Sequence, residues 1–274
     1  MKPFDPIDAE KDAPAALMHA ISEGDAKHFA TKFDIYDQKF LSPSALAALL
    51  MRAATDSNVE CVEFLLARGA DCSRVDYKGN TALHCAVSMV WGQKMVECVK
   101  LLIPHADARA LNSWGQSPLW RSLTRAQTIV SRMRDEGEAQ DASRDQDDEV
   151  SAAVAAILAP LSDCEARGPQ GITLLGAAAD LNSTRLLRVL LPFCDPRQTD
   201  GDGSTRNGLT LALTPLMHAV DRGCLAAARA LAPMSDEALP AAKGFSSLRR
   251  REPTALENAI ELALKMPEGK KRTK

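Results

Sequence analysis

One seven-residue rhythm recurs along this chain and limits what it can fold into. "TALHCAV" (81–87), "SPLWRSL" (117–123), "TLLGAAA" (173–179), "TPLMHAV" (214–220) and "TALENAI" (254–260) each open with a hydroxyl residue, carry Leu two places on, and hold a small residue in the sixth place. "ALLMRAA" (48–54) keeps the rhythm without the hydroxyl. A second apolar run at helical spacing follows most of them. These runs are "NVECVEFLLARGAD" (58–71), "KMVECVKLLIPHAD" (94–107), "SAAVAAILAPLSD" (151–163), "STRLLRVLLPFCD" (183–195) and "CLAAARALAPMSD" (224–236), and each finishes at an Asp.

The order of residues has a physical reading. A Thr or Ser hydroxyl caps a helix by accepting a backbone N–H. Pro suits the first helical turn, as at Pro118 and Pro215. Leu then points into a core, and Ala or Ser lets two helices approach closely. Gly223 is placed to end a first helix in the left-handed conformation. Gly79, Gly115 and Gly171 mark the turns between units. One helix pair cannot bury its own apolar face, so copies must stack.

Composition agrees with helices. The 274 residues are 46% hydrophobic but only 4% aromatic, and Ala is abundant, which favours closely packed helices over a β-sandwich. The net charge of −3 gives no global attraction to nucleic acid or an anionic membrane. No apolar run reaches the length of a membrane span. "MKPFDPIDAEKDAP" lacks the apolar centre of a signal peptide, so a cytoplasmic location is the default expectation. The seven cysteines show neither a CxxC pair nor zinc spacing and read as reduced, core-filling thiols.

The stretch "GADCSRVDYKGNTALHCAV" resembles the ankyrin repeat, whose signature is Gly-x-Thr-Pro-Leu-His-x-Ala followed by a Leu-Leu-x-x-Gly-Ala-Asp exit. The likeness is strongest at 58–87, moderate near 115–123 and 214–224, weaker at 171–195, and degenerate at both ends. It implies an all-α solenoid of antiparallel helix pairs joined by protruding hairpin-like loops. Residues 14–264 would form a single array of about six to seven units, with 1–13 an N-terminal extension and 265–274 a basic, disordered tail. The unit-to-unit spacings are 33, 36, 56, 41 and 40 residues against about 33 for the family, so the later units carry insertions. The largest, at 126–149, holds eight acids against one Arg from Asp135 to Glu149. It reads as a solvated helix extension or loop, or as an acidic contact surface. The first helix of that unit is expected to run long, through "LTRAQTIVSRMR". "APAALMHAISEGDAKHFATKF" reads as a degenerate pair capping one end, and "PTALENAIELALK" as the other cap.

No arrangement in the sequence demands catalysis. The GxSxG, HExxH, Walker and Rossmann patterns are absent, and "GDGSTRNGLTLAL" (201–213) is an extended loop rather than a phosphate cradle. His84 and His218 fall in the helix-entry motif, His218 one place later, and an ordering role by hydrogen bonding is expected for both. The expectation is therefore a non-enzyme with no cofactor and no metal site.

Function then rests on surface. The resemblance places partner contacts at the loop tips and on the concave helix row. At the tips these are Tyr77, Lys78, Ser113 and Trp114, with Pro169 and Gln170. On the helix row they are Thr55, Asp56, Ser88, Met89, Thr124, Arg125, Asp180, Leu181, Asp221 and Arg222. Trp91 lies in the extra loop "SMVWGQK". Tyr77, Trp91 and Trp114 form an aromatic cluster that anchors a partner, or else Trp91 and Trp114 fold back over neighbouring helix ends. The expected partner is a protein, met without a membrane and by a monomer. The readings of that role are an inhibitor or immunity-type binder in a bacterial cytoplasm and a secreted effector that binds host proteins. An enzyme sited in the insertions is the contrasting class. Nucleic-acid binding through Arg249–Arg251 and the tail ranks last.

Overall fold

The computed structural model describes residues 14–37, 41–88, 92–124, 126, 141–168, 171–200, 205–206, 209–210, 214–221 and 224–234. The expectations for Met89, Trp91, Arg125, Pro169, Gln170, Arg222 and Gly223, and for segments 1–13, 127–140, 243–253, 254–264 and 265–274, lie outside the described residues. The chain divides into two compact units, Met1–Asp163 and Cys164–Lys274.

The first unit is built from helix pairs. They are α1 (Ala15–Ser22) with α2 (Ala26–Asp37), α3 (Pro43–Thr55) with α4 (Val59–Ala67), and α5 (Ala82–Ala86) with α6 (Gln93–Leu102). A fourth pair is α7 (118–124) and α8 (Asp141–Leu158). First helices pack in one row, α1 on α3 and α3 on α5; second helices pack in another, α2 on α4, α4 on α6 and α6 on α8. The leucines in the third place of the rhythm are the reason. Leu50, Leu83 and Leu119 are fully buried, as are Leu65 and Leu102 of the second helices, and each such burial is worth about 1.5–3 kcal/mol. The sixth-place residues Ala53, Ala86 and Ser122 are buried too, keeping the rows close.

The hydroxyl caps are present. Ser117 Oγ accepts from Trp120 N–H at 3.3 Å, and Thr81 forms a capping box with His84. The second pair corrects the sequence reading of a start at residue 48 without a hydroxyl. Its helix begins one and a half turns earlier, at Ser42-Pro43, with Ser42 Oγ accepting from Ala45 N–H at 3.1 Å. The same cap-then-proline signature is used, and the Ala-rich run behind it sustains a longer helix.

The acidic insertion follows its helix-extension reading in part. Its last third is not separate from the second helix of that pair: α8 starts at Asp141, ten residues before the apolar run. Acids in the first turns favour this, since they face the positive end of the helix dipole. Val150, Val154 and Leu158 then bury one stripe of it.

The N-terminal pair is built as a cap. Among the described side chains of α2, only Phe29 and Phe33 are fully buried. Their rings meet Phe64 at centroid distances of 5.7 and 5.1 Å. The Arg68 guanidinium lies 4.6 Å over Phe64 and 5.2 Å over Phe33, and donates to Asp34 at 3.1 Å. The exposed positions of α2 include Lys27, His28, Thr31 and Asp34, as suits an end repeat, together with the apolar Ile35.

The second unit contains α9 (Leu174–Asp180) paired with α10 (Thr184–Leu190), and α11 (Pro215–Asp221) paired with α12 (Leu225–Leu231). Here α9 packs on α11 and α10 on α12. Between the pairs a short antiparallel bridge, β1 (Thr205–Arg206) with β2 (Leu209–Thr210), sets Thr205 opposite Thr210. The second helices α6, α8 and α12 run into a proline rather than a Gly exit. Short 3-10 turns at Ile103–His105, Ala159–Leu161 and Ala232–Met234 close them, since Pro cannot continue the helix pattern. Left-handed residues also close two first helices where glycine was the expected solution. They are Ser57 (φ 53°) and Asn182 (φ 56°).

Candidate functional site

The hairpin tips of the first unit share one bond scheme. Asp76 N–H donates to the Asn80 carbonyl at 3.0 Å and Gly79 N–H to the Asp76 carbonyl at 2.9 Å. One unit later Asn112 N–H donates to Gln116 and Gly115 N–H to Asn112, at 3.0 and 2.9 Å. Each tip crosses into the left-handed region at its glycine, Gly79 (φ 73°) and Gly115 (φ 69°). Gly79 has a further reason to lack a side chain. A Cβ there would lie 2.8 Å from the backbone nitrogen of Ser113. Successive tips are in contact because Ser113 N–H donates to the Lys78 carbonyl at 2.9 Å.

A polar ladder holds these tips from beneath. Asp76 Oδ1 accepts from the backbone N–H groups of Lys78 and Asn80, both at 2.8 Å, and Asp76 Oδ2 accepts from Asn80 Nδ2 at 2.9 Å. Asn112 Nδ2 donates across to Asn80 Oδ1 at 3.1 Å, while Asn112 Oδ1 accepts from Trp114 and Gln116 N–H, both at 3.0 Å. His84 ties the ladder to the helices. Its Nδ1 accepts from Thr81 N–H at 3.2 Å, so its Nε2–H donates to the Gln116 carbonyl at 2.9 Å. Burial holds the His84 pKa below the ordinary value of 6.5, outweighing the bond to Gln116. The ring is therefore neutral, as an acceptor Nδ1 requires.

On this frame sits a face of mixed cations and rings. Tyr77 is 71% exposed and Trp114 50% exposed, so both point outward rather than folding over the helix ends. The Lys78 ammonium lies 5.1 Å from the Tyr77 ring centroid and 5.9 Å from that of Trp114. The Arg121 guanidinium lies 5.6 Å from the same Trp114 ring and donates through Nε to Ser88 Oγ at 3.2 Å. Ser88 Oγ in turn donates to the His84 carbonyl at 2.6 Å.

Four of the sequence-chosen positions thus meet here: Tyr77, Lys78, Ser88 and Trp114. Ser113 is exposed at the tip beside them. Thr124 lies half-buried one helical turn beyond Trp120, bonded to the Trp120 carbonyl and to Gln116 Nε2. Arg121 was missed. It occupies the fifth place of the rhythm, where Cys85 stands in the preceding unit, and that place reads as helix interior. The same place holds Arg52, Cys85, Ala177, His218 and Asn258 in the other copies, so its residue type carried no signal.

Asp180 and Asp221 belong to the second unit. Asp221 ends α11. The Asp180 side chain is 11% exposed and is engaged inward. There, His218 Nε2–H donates to Asp200 Oδ2 at 2.5 Å, and its Nδ1 stands 3.4 Å from Asp180 Oδ1. Asp200 Oδ1 accepts from Thr173 N–H at 3.0 Å. The imidazole lies against Gly176, where a Cβ would come 3.0 Å from His218 Cδ2. Gly176 holds the fourth place of its unit, the place of His84. The ring of the following unit thus fills the space of the missing histidine, and Asp200 takes the cap N–H that His84 Nδ1 takes elsewhere. Burial alone would lower the His218 pKa, but the two carboxylates overcome it and raise it to about 9. With both ring nitrogens facing carboxylates and the residue only 2% exposed, His218 is committed as an imidazolium and has no nitrogen left to serve as a base. Among the described residues no cluster of His, Cys, Asp or Glu could hold a metal ion, and no helix is long and apolar enough to cross a membrane.

Residues 50–103 match the family model for ankyrin repeats in many copies. Among solved structures the chain is similar to the ankyrin repeat domain of Bcl-3, titled a unique member of the IkappaB protein family. Identity is 19%, the alignment covers 83% of this chain and 89% of that one, and the TM-score is 0.58. No curated protein sequence matches the chain.

Proposed function

We propose, from the premise that this is an ankyrin-repeat protein, that it binds a partner protein through the tip face of its first unit. Ankyrin repeats generally serve protein–protein interaction, and the fold is typically non-catalytic. The observation that carries the placement is the exposed pair Tyr77 and Trp114 joined by Lys78 over both rings. Exposed aromatics and Arg on a rigid frame are the residues interfaces use as anchors. Ser88, Ser113 and Thr124 line the adjoining surface in this reading, with Met89, Trp91 and Arg125 assigned to it from their place in the repeat. Asp180, Asp221 and Arg222 are the corresponding assignments in the second unit.

The proposal takes residues 14–264 as one array and the cytoplasm as its location. Its narrower form is an inhibitor or immunity-type binder that occludes a bacterial enzyme. The expected signature of that form is a stoichiometric complex in which the enzyme's turnover is lost.

The test is affinity capture from native lysate with the wild-type chain and with Tyr77→Ala, Trp91→Ala and Trp114→Ala combined. A stoichiometric partner retained by the first and lost by the second, with equal helical content, supports the face. A partner held equally by both sinks its placement.

A further inference from the structure

We infer that the segment recognised by the tip face is an acidic one, presenting two carboxylates on one side of an extended peptide with an apolar residue beside them. This rests on the protein-binding reading and deepens it. Among the described residues no carboxylate stands within ion-pair distance of Lys78 or Arg121, although the same unit pairs Arg52 with Asp56 at 2.7 Å and Arg68 with Asp34 at 3.1 Å. The acid nearest in sequence, Asp76, is turned inward and spends both oxygens on the ladder. Among the described residues the face thus presents two cations with no ion-paired acid, on a chain whose net charge is −3.

Geometry narrows the partner. The two cations share one indole, at 5.9 and 5.6 Å from its centroid. Carboxylates at i and i+2 of an extended chain lie on one side, roughly 7 Å apart. That spacing suits two cations grouped around a single ring, with the ring left to take an apolar side chain. One cation is held at its guanidinium and the other only at its backbone before binding. Arg121 is fixed by Ser88 Oγ, and the Lys78 backbone is fixed at both N–H and carbonyl. Pre-organised groups lose less entropy on binding.

A nucleic acid is the competing polyanion, since aromatic rings with cations also make stacking platforms. The face argues against it. Two cations neutralise at most two phosphates, and backbone binding draws its affinity from many.

The test is a selection of random dodecapeptides displayed on phage against the full chain, counter-selected with Tyr77→Ala/Trp114→Ala. Peptides that depend on the rings and are enriched in Asp or Glu two places apart support the inference. Their synthetic forms should bind about tenfold more weakly, the combined loss of two exposed charged contacts, when Asp becomes Asn and Glu becomes Gln or when the chain carries Lys78→Gln/Arg121→Gln. Ring-dependent peptides without acidic enrichment overturn the acidic assignment and leave the protein-binding face standing. Selected peptides indifferent to the rings, or no selected peptide, overturn both. An oligo-dT strand binding more tightly than the acidic peptides, with loss on Lys78→Gln/Arg121→Gln, assigns the face to nucleic acid and overturns the inference.

Discussion

The third and fifth helix pairs of this chain meet the same need in two ways. At Thr81 the cap N–H is taken by His84, a neutral ring of the same helix, which also reaches the Gln116 carbonyl of the next hairpin. At Thr173 the helix has Gly176 in that place, and the cap N–H is taken by Asp200 while the ring comes from His218 of the following pair. The first solution is local and uncharged. The second borrows a side chain from the next pair and buries an imidazolium between two carboxylates. A repeat can thus lose its signature histidine when its neighbour supplies a ring, but the borrowed ring carries a charge that must stay compensated.

The largest expected effect comes from breaking the charged arrangement. His218→Ala leaves Asp180 and Asp200 facing each other in the interior, and removing one partner of a buried ion pair costs about 3–5 kcal/mol. Denaturant unfolding followed by hydrogen exchange should place that loss in residues 173–231 and spare the first unit.

The next effect is on pH, and the two regions should respond with opposite sign. The His218 pKa is raised to about 9 from 6.5. Its contribution is complete below 6.5 and lost as pH rises through about 9, on the order of 3 kcal/mol. His84 is lowered from 6.5 by burial, so the first unit loses stability as pH falls below 6.5. Hydrogen exchange of each unit across an acid-to-alkaline series reads both slopes. Equal slopes in the two units would remove the distinction.

His84→Ala should cost less than His218→Ala, about 1–3 kcal/mol, because it orphans a buried N–H and a carbonyl rather than charges. Thermal melts of the two variants side by side give the order. Smallest is Gly176→Ala. Its Cβ meets Thr173 Oγ1 at 2.9 Å and His218 Cδ2 at 3.0 Å. Crowding costs about 1–3 kcal/mol, and Ala's helix preference returns roughly 0.5–1. In a double-mutant cycle the cost should shrink in the His218→Ala background, as expected for groups in contact.

These contrasts also mark what the sequence makes legible. Thr81, Ser117, Thr173 and Thr214 read as caps because a hydroxyl before Leu at fixed spacing has one dominant local use, and all four cap. Gly79 and Gly115 read as turns for the same local reason. Tyr77, Lys78 and Trp114 were legible as tip residues by counting back from those glycines. Arg121 was not, because its role depends on lying beside a ring from the preceding hairpin. His218 reads as an ordering histidine one place late, but its target, Gly176, lies 42 residues earlier. No local pattern links two positions joined only by stacking. The start of α8 at Asp141 escaped because an acidic run reads equally as solvated loop or as a helix's first turns.

The borrowed, charged histidine is most directly tested by following the imidazole nitrogens of the five histidines by NMR through a pH titration, with His84→Ala and His218→Ala for assignment. At neutral pH His218 should show two protonated nitrogens, persisting until about pH 9, while His84 shows a single Nε2–H and a bare Nδ1. A His218 ring that is neutral at pH 7, or that loses its proton near 6.5, would contradict the account.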